Sequence, residues 1–593
     1  YQVMDECAKA YDCQFSAESV APTMVSDGML HYSKADLPMG EFWLNSPTHD
    51  KPNDVLDAIS GAHVYGKNIV QAEGLTEVRG VWDEYPAMLK PVLDRNFALG
   101  VNKLFFHVFV HNPWMDRKPG MTLDGIGAFF QRDQTWWNEG EAFVDYINRC
   151  QTMLQYGHPV VDIAVFTGEE IPRRAFLPER LVPMLPGIYG KARVKAEEKR
   201  LENKGQPLAM RPVGVTYAAN TTDPEHWVNP MRGYAYDSFN KDALLRLAQM
   251  KDGRMVLPGG VSYKVLVLPG AHPMNPDNIP LSTEVSQKIE EYRRKGLIIP
   301  QLPYQADDFN SYGLERDVVV PENVAWNHRS GEEMEVYFIA NQDGAVPAST
   351  DSLSGGKEGK RTFTASFRIS GRQPELWDPM TGKICRPANW VEKNGRTEVE
   401  LALDHYGSVF VVFPKEASSE LSSEFTETAV LPCPVKEWNV RFSETGKTVV
   451  RTTLFDWSRE ADEKIKYYSG KALYSGTFRW KESGQKAKRV VVRLGKVANV
   501  ATVRVNGVAC GTAWTAPYEV DVTEVLRKGT NTLDIEVVNT WANALRGADL
   551  GKAPFEGIWT NAKYRLPGDK LLPAGLLGPV EFVLRSSKIN LKK

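Results

Sequence analysis

GAHVYGKNIVQAEGLT, residues Gly61–Thr76, decides how the first third of this chain folds. It reads as the end of a helix, a Gly66-Lys67 turn, a short buried strand over Asn68–Ala72, and then an acid, Glu73. A carboxylate just past the C-terminal end of a strand is where a β/α barrel keeps its chemistry. Two further acids close short apolar runs upstream, Glu18 in QFSAES and Glu41 in LPMGEFW. Taken singly each is an ordinary loop acid. Three together, with aromatic neighbours, point to a site that handles carbohydrate.

Outward from this stretch, residues 1–175 alternate helix and strand. A helix over Tyr1–Tyr11 leads to a strand near Phe15 and another over Met39–Trp43. Asp54–Val64 is a helix, and Pro86–Leu99 is a second that stops at Gly100, a C-terminal cap. Lys103–Val110 (KLFFHVFV) and Val161–Phe166 read as continuous apolar strands of the buried parallel kind, with the helix Glu141–Leu154 between them. The second of these strands ends at Glu169-Glu170, a weaker pair of candidate acids. This rhythm predicts parallel β/α units, the C-terminal part of a (β/α)8 barrel. Only four or five strands fit. The other strands would precede Tyr1, and a chain that starts inside a helix without Met reads as N-terminally truncated.

Residues 176–312 are expected to form a flavodoxin-like α/β domain behind an irregular lead-in (PERLVPMLPG and a charged helix, KARVKAEEKRLENKG). Its elements are a helix in YDSFNKDALLRLAQM capped by Asp237 or Asn240, a strand in KVLVLPGAHPM, and a helix in STEVSQKIEEYRRKG. Residues 313–415 switch to period-two alternation and predict a β-sandwich. The Ser/Glu-rich stretch 416–435 reads as a linker, and 436–593 is again all-β. The whole is a multidomain α/β plus all-β chain.

Composition narrows the function classes. A formal net charge of -3 over 593 residues gives no electrostatic case for nucleic acid or an anionic membrane. No apolar run is long enough for a membrane span. The six cysteines contain no CxxC pair, which argues against a zinc or redox site. Fifteen Trp and 22 Tyr suit both sugar stacking and β-sandwich cores.

The C-terminal unit carries the most specific pattern. Leu494-Gly495, Ala501–Gly507 (ATVRVNG), Gly511–Trp514, Pro517-Tyr518, Asp521–Thr523 and Gly529–Leu533 resemble the galactose-binding-like jelly roll of family 2 glycosidases. Asn506-Gly507 suits a type I′ hairpin turn. Such a domain serves as a support or as a sugar binder, with Trp514 and Tyr518 as its test residues. Farther upstream, Asp36–Trp43 (DLPMGEFW), Ala62–Lys67, Ala72-Glu73, Gly100–Asn102 with His107, Pro119–Met121 and Thr135–Trp137 resemble the second half of the barrel in glycoside hydrolase family 106, a family of α-L-rhamnosidases. Leu257–Tyr263, Asn327–Arg329, Leu376–Gly382 and Tyr406–Ser408 extend the resemblance over almost the whole chain.

The resemblance implies hydrolysis of α-L-rhamnosides of plant origin with inversion, by two carboxylic groups and a bound calcium, in an exported (periplasmic or extracellular) protein. It makes Glu73 the general base. Glu41 joins it in the catalytic pocket as a calcium ligand or sugar-hydroxyl acceptor, and Glu18 is a second such acceptor. Trp43, His107, His111 and Trp136 are expected to contact the sugar, with Trp137 beside them. The general acid is expected on an earlier strand. Two rival readings stay open: a carbohydrate-binding scaffold without catalysis, and a retaining family 2-like glycosidase such as a β-galactosidase.

Overall fold

The computed structural model describes residues 1–19, 27–44, 52–77, 80–123, 126–171, 173, 175, 228–229, 231–268, 270, 277–300, 309–343, 360–418, 420–481, 489–566 and 568–587. The Pro-rich lead-in and the charged helix expected over 178–205 lie outside them.

After helix α1 (Gln2–Ala10), four strands lie side by side in chain order, all parallel: β1 (Ser16–Glu18), β2 (Leu37–Trp43), β3 (Gln71–Thr76) and β4 (Lys103–Phe106). Helix α2 (Pro52–Val64) joins β2 to β3, and α3 (Pro86–Leu99) joins β3 to β4. Pro86 opens α3 at a position where no N–H is needed, and Gly100 closes it at φ 133°. β3 therefore starts later than expected and carries Glu73 inside the strand. Asn102 ties its start, accepting from the Val70 N–H (2.8 Å) and donating to the Asn68 carbonyl (2.8 Å).

Alternation along the strands separates two faces. Gly40 lies under α2, where a Cβ would come 2.8 Å from the Val55 Cα, and a Cβ on Gly74 would meet the Phe42 ring at 2.4 Å. This face, with Ala72, packs on Ala58, Ile59, Leu89 and Leu93, which are almost fully buried. The other face carries Glu41, Glu73 and Phe105, which are register partners across β2, β3 and β4. It is open: Phe105 is 43% exposed. Among the described residues β4 is a sheet edge, and it ends at Phe106, so KLFFHVFV is not the buried strand expected, and Phe109 is 65% exposed.

Ile163–Phe166, expected in this sheet, belongs to another. It lies between Val265–Val267 and Tyr236–Phe239, all parallel, and is buried along its length. Tyr236–Phe239 is that sheet's strand and not the start of a helix. A short helical run, 241–247, follows it and starts at the expected cap, with Asn240 Oδ1 accepting from the Ala243 N–H. Thr283–Arg294 is helical as expected, with Ser282 at its N-terminal cap.

Two sheets of four and six strands form the next unit, over Val318–Pro414. His158–Pro159 joins the larger one as an edge. The last unit also pairs a four-stranded with a six-stranded sheet. Its first strand is Phe425–Pro432, paired with Glu581–Ser587. The expected linker 416–435 is therefore partly an exposed edge strand. Asn506 (φ 54°) and Gly507 (φ 79°) make the hairpin turn between Val500–Val505 and Val508–Ala513.

Candidate active site

The open face of the parallel sheet gathers most of the expected residues. Glu41 and Glu73 are lateral neighbours on β2 and β3. Their backbones are therefore about 4.8 Å apart, the spacing of adjacent strands. Glu41 is 6% exposed, and its Oε1 accepts a hydrogen bond from the Trp43 indole N–H. The Glu73 side chain keeps 30% of its surface exposed.

Just past Glu73 the register slips. Glu41 pairs with Glu73 but Trp43 pairs with Thr76, so β3 carries one extra residue, and buried Leu75 sits at φ 68°. A bulge of this kind bends a strand end and re-aims its side chains, here next to the acid pair. His107 follows the end of β4. Its Nε2 lies 3.9 Å from Glu73 Oε1, inside ion-pair range and beyond a hydrogen bond.

Glu18 ends β1 and pairs in register with Met39, one step below Glu41 along the strands. His111 lies on the exposed loop after β4. Trp136 corrects its assignment: it is 3% exposed, donates its indole N–H to the Glu84 carbonyl (2.9 Å) and packs edge-on against Phe130. It is a core residue, whereas its neighbour Trp137 is 43% exposed. Glu169 is also engaged elsewhere. It accepts from Lys241 (2.7 Å) and from the Ser282 N–H (2.6 Å), at the end of the other parallel sheet. Trp514 is 2% exposed and packs against Phe143 and Tyr146 of helix α4 (Glu141–Leu154), and the Tyr518 hydroxyl donates to the Asn499 carbonyl. Both residues named for sugar binding in the C-terminal unit therefore pack within the protein.

One cluster escaped the sequence reading. Glu77, Asp83 and Glu84, all buried, bring carboxylate oxygens within 4.8 Å of one another. Burial, and then the charges of Glu77 and Asp83, push the Glu84 carboxyl well above the usual carboxylate range. Three acids within eight residues after a strand was the available signal. Glu84 is fully buried. Among the described residues this is the one group of three or more potential metal ligands, and Glu41 is not part of it.

A cavity of about 450 Å³ lies elsewhere, where α4, the middle β-unit and the C-terminal unit meet. None of the acids, histidines and tryptophans expected in the catalytic pocket lines it, although Trp514 of the C-terminal unit does.

The description Glycosyl hydrolase 2 galactose-binding domain-like matches residues 447–566. A putative beta-glucuronidase of Formosa agariphila is 31% identical over 450 residues, 69% of this chain and 32% of that protein. The solved rhamnosidase of Novosphingobium sp. PP1Y is 27% identical, with a TM-score of 0.76 over 99% of this chain and 55% of its own. The chain thus spans about a third of the curated relative and about half of the solved one. The alpha-L-rhamnosidase family description, glycoside hydrolase 106, matches residues 1–226 and 294–389, more than half of the chain, which therefore belongs to that family.

Proposed function

We propose that the open sheet face is the sugar-binding half of an inverting α-L-rhamnosidase site, with Glu73 as general base. The observation that carries this reading is the placement of Glu73 beside Glu41 on the uncovered face of a parallel β/α sheet, the kind of scaffold on which β/α enzymes mount their reacting groups. Glu73 takes a proton from a water molecule, whose oxygen attacks the anomeric carbon. The glycosidic C–O bond breaks, and its oxygen leaves with a proton from a separate acid. His107, facing Glu73, orients that carboxylate or a sugar hydroxyl.

Glu41 is not the acid of this pair. Inverting enzymes hold their carboxyls about 6.5–9.5 Å apart to admit water. Neighbouring register positions start near 4.8 Å and project the same way. Glu41 therefore serves as a hydroxyl acceptor, steadied by Trp43. Calcium takes six to eight oxygen ligands. The described carboxylates around Glu41 do not make such a set, so a calcium ion here would rest on Glu41 together with oxygens from outside them. Chemically it would polarise sugar hydroxyls.

The close lateral spacing also favours a second reading, a retaining glycosidase that uses Glu41 and Glu73 together, for which carboxyls about 5–5.5 Å apart are the rule. Proton NMR of the first sugar released from aryl α-L-rhamnoside separates the two. The β-anomer supports inversion, and the α-anomer supports retention. Cleavage of an aryl β-D-glucuronide with no action on the rhamnoside would overturn the rhamnoside assignment.

A further inference from the structure

A line of alternating charges crosses the junction between the middle β-unit and the buried parallel sheet. Its centre is His328, on Val324–Ser330 of the larger sheet of that unit. His328 Nδ1 lies 2.7 Å from Asp317 Oδ2, and Nε2 lies 3.1 Å from Glu335 Oε2. Asp317 directly precedes Val318–Val319 of the smaller sheet, so the first contact spans the two layers. Glu335 is on Met334–Asn341, the strand paired with that of His328. Beyond Asp317 stands Arg368, 3.7 Å from its Oδ1, and Arg368 reaches Asp162 at 2.6 Å. Asp162 directly precedes the strand Ile163–Phe166 and takes Arg254 on its other oxygen (2.7 Å). From Glu335 to Arg254 the signs alternate only if His328 carries a proton.

A neutral imidazole has one N–H and one bare nitrogen, whereas the charged ring donates from both. A neutral His328 would set a lone pair against a carboxylate oxygen on one side. Both carboxylates are already held as acceptors by other groups. The Tyr337 hydroxyl donates to Asp317 Oδ1 (2.9 Å), and its ring stacks on the imidazole at 3.8 Å with the planes 16° apart. Glu335 Oε1 faces Arg372 at 3.9 Å. The side chains of His328 and Asp317 are 5% and 4% exposed, so their partners are protein groups. Burial would lower the His328 pKa, but Asp317 and then Glu335 outweigh it and raise it. Burial would likewise raise Asp317, which His328 and Arg368 hold below the usual carboxylate range. Two further groups face the cluster. His158, on the neighbouring edge strand, is pushed down by burial and by Arg329. Arg396 donates to the Asp317 and Ser366 carbonyls.

We propose that a proton held on His328 locks the middle β-unit to the buried parallel sheet, and that its loss in alkali releases the lock. The device stands apart from the sugar chemistry. Charges attract more strongly in a buried site than at the surface, and a buried carboxylate that loses its partner is costly. The stabilisation is complete below the ordinary imidazole value of about 6.5 and is lost as the pH rises through the raised value.

The test is nitrogen NMR of the intact protein with 15N-labelled histidine rings, titrated from about pH 6 to about pH 10, for the wild type and Glu335→Gln, which alters only the less buried partner. The proposal predicts one ring with both nitrogens protonated at about pH 8, where an ordinary histidine is neutral. Glu335→Gln should lower the proton affinity of that ring at least about ten-fold. Amide hydrogen exchange, corrected for the intrinsic effect of pH, reads the lock itself. Protection of residues 162–166 and 317–319 should fall as the ring titrates, and at a lower pH in Glu335→Gln. No doubly protonated ring at about pH 8, or one that Glu335→Gln leaves unmoved, would overturn the proposal. Protection of both segments that stays constant through the titration would also overturn it, because a charged His328 would then lock nothing.

Discussion

Two parallel sheets in this chain are built from similar sequence and put to different uses. In the sheet around Ile163–Phe166, every residue of the central strand is buried, and polar groups at its edges satisfy one another. Asp237 is 1% exposed, lies 2.9 Å from His63 Nδ1 and accepts from the Tyr263 hydroxyl (2.8 Å). Asp162 is held by Arg254 (2.7 Å) and Arg368 (2.6 Å). In the β1–β4 sheet one face is closed by helices, and the other presents Glu73, His107 and Phe105 to open space. Polar groups that complete each other hold a fold together. Polar groups on an open face have no such internal role. Burial on both faces, more than hydrophobicity of the strand, distinguishes the two sheets.

The largest expected contrast is in packing. Phe166→Ala empties a fully buried position and should cost about 3–5 kcal/mol. Phe105→Ala, on the open face, should cost less than about 1 kcal/mol. Urea unfolding of both variants measures the difference, and equal costs would break the comparison.

Next is Asp237→Asn, which leaves one acceptor for the two donors of His63 and Tyr263. It should cost about 2 kcal/mol, read by the same denaturation. Glu73→Gln removes a charge of equal size from the open face and should shift stability by no more than about 0.5 kcal/mol.

A smaller effect concerns Glu169, the alternative acid. Burial would raise its carboxyl, but the bonds from Lys241 and Ser282 outweigh this and hold it below the usual range. A depressed carboxylate stabilises the fold above its ordinary pKa, and the contribution is lost as the pH falls through the depressed value. The wild type should therefore exceed Glu169→Gln in stability by less than about 1 kcal/mol at neutral pH. That gap should close on acidification to about pH 3. A gap that stays constant with pH would show that the ion pair is not its source.

Much of the first sheet was legible in the sequence. Pro86–Leu99 and Glu141–Leu154 run as expected because their starts and periodicity are local signals. Glu41 and Glu73 stand out in the sequence because each closes a short apolar run, and the strand register sets them side by side. What was lost depends on partners distant in the chain. KLFFHVFV and VDIAVF are equally apolar, yet the first is an edge, and no property of eight residues shows which side lacks a neighbour. YDSF begins a polar segment with helical spacing, but its pairing with Ile163–Phe166 makes it a strand. Trp136 and Trp137 are adjacent and identical in type, and only the turn of the chain decides that the first is buried. The join of Lys118–Gly120 to Ile558–Thr560 carries no local signal at all.

The most direct measurement is the rate of hydrolysis of 4-nitrophenyl α-L-rhamnoside by the intact protein, wild type against Glu73→Gln, with unfolding midpoints taken in parallel. A base on the open face predicts a fall in kcat of about a thousand-fold with the midpoint unchanged, within the range for loss of general base catalysis. Activity within a few fold of the wild type, in a folded variant, would contradict the assignment of Glu73 and with it the reading of the open sheet as the catalytic face.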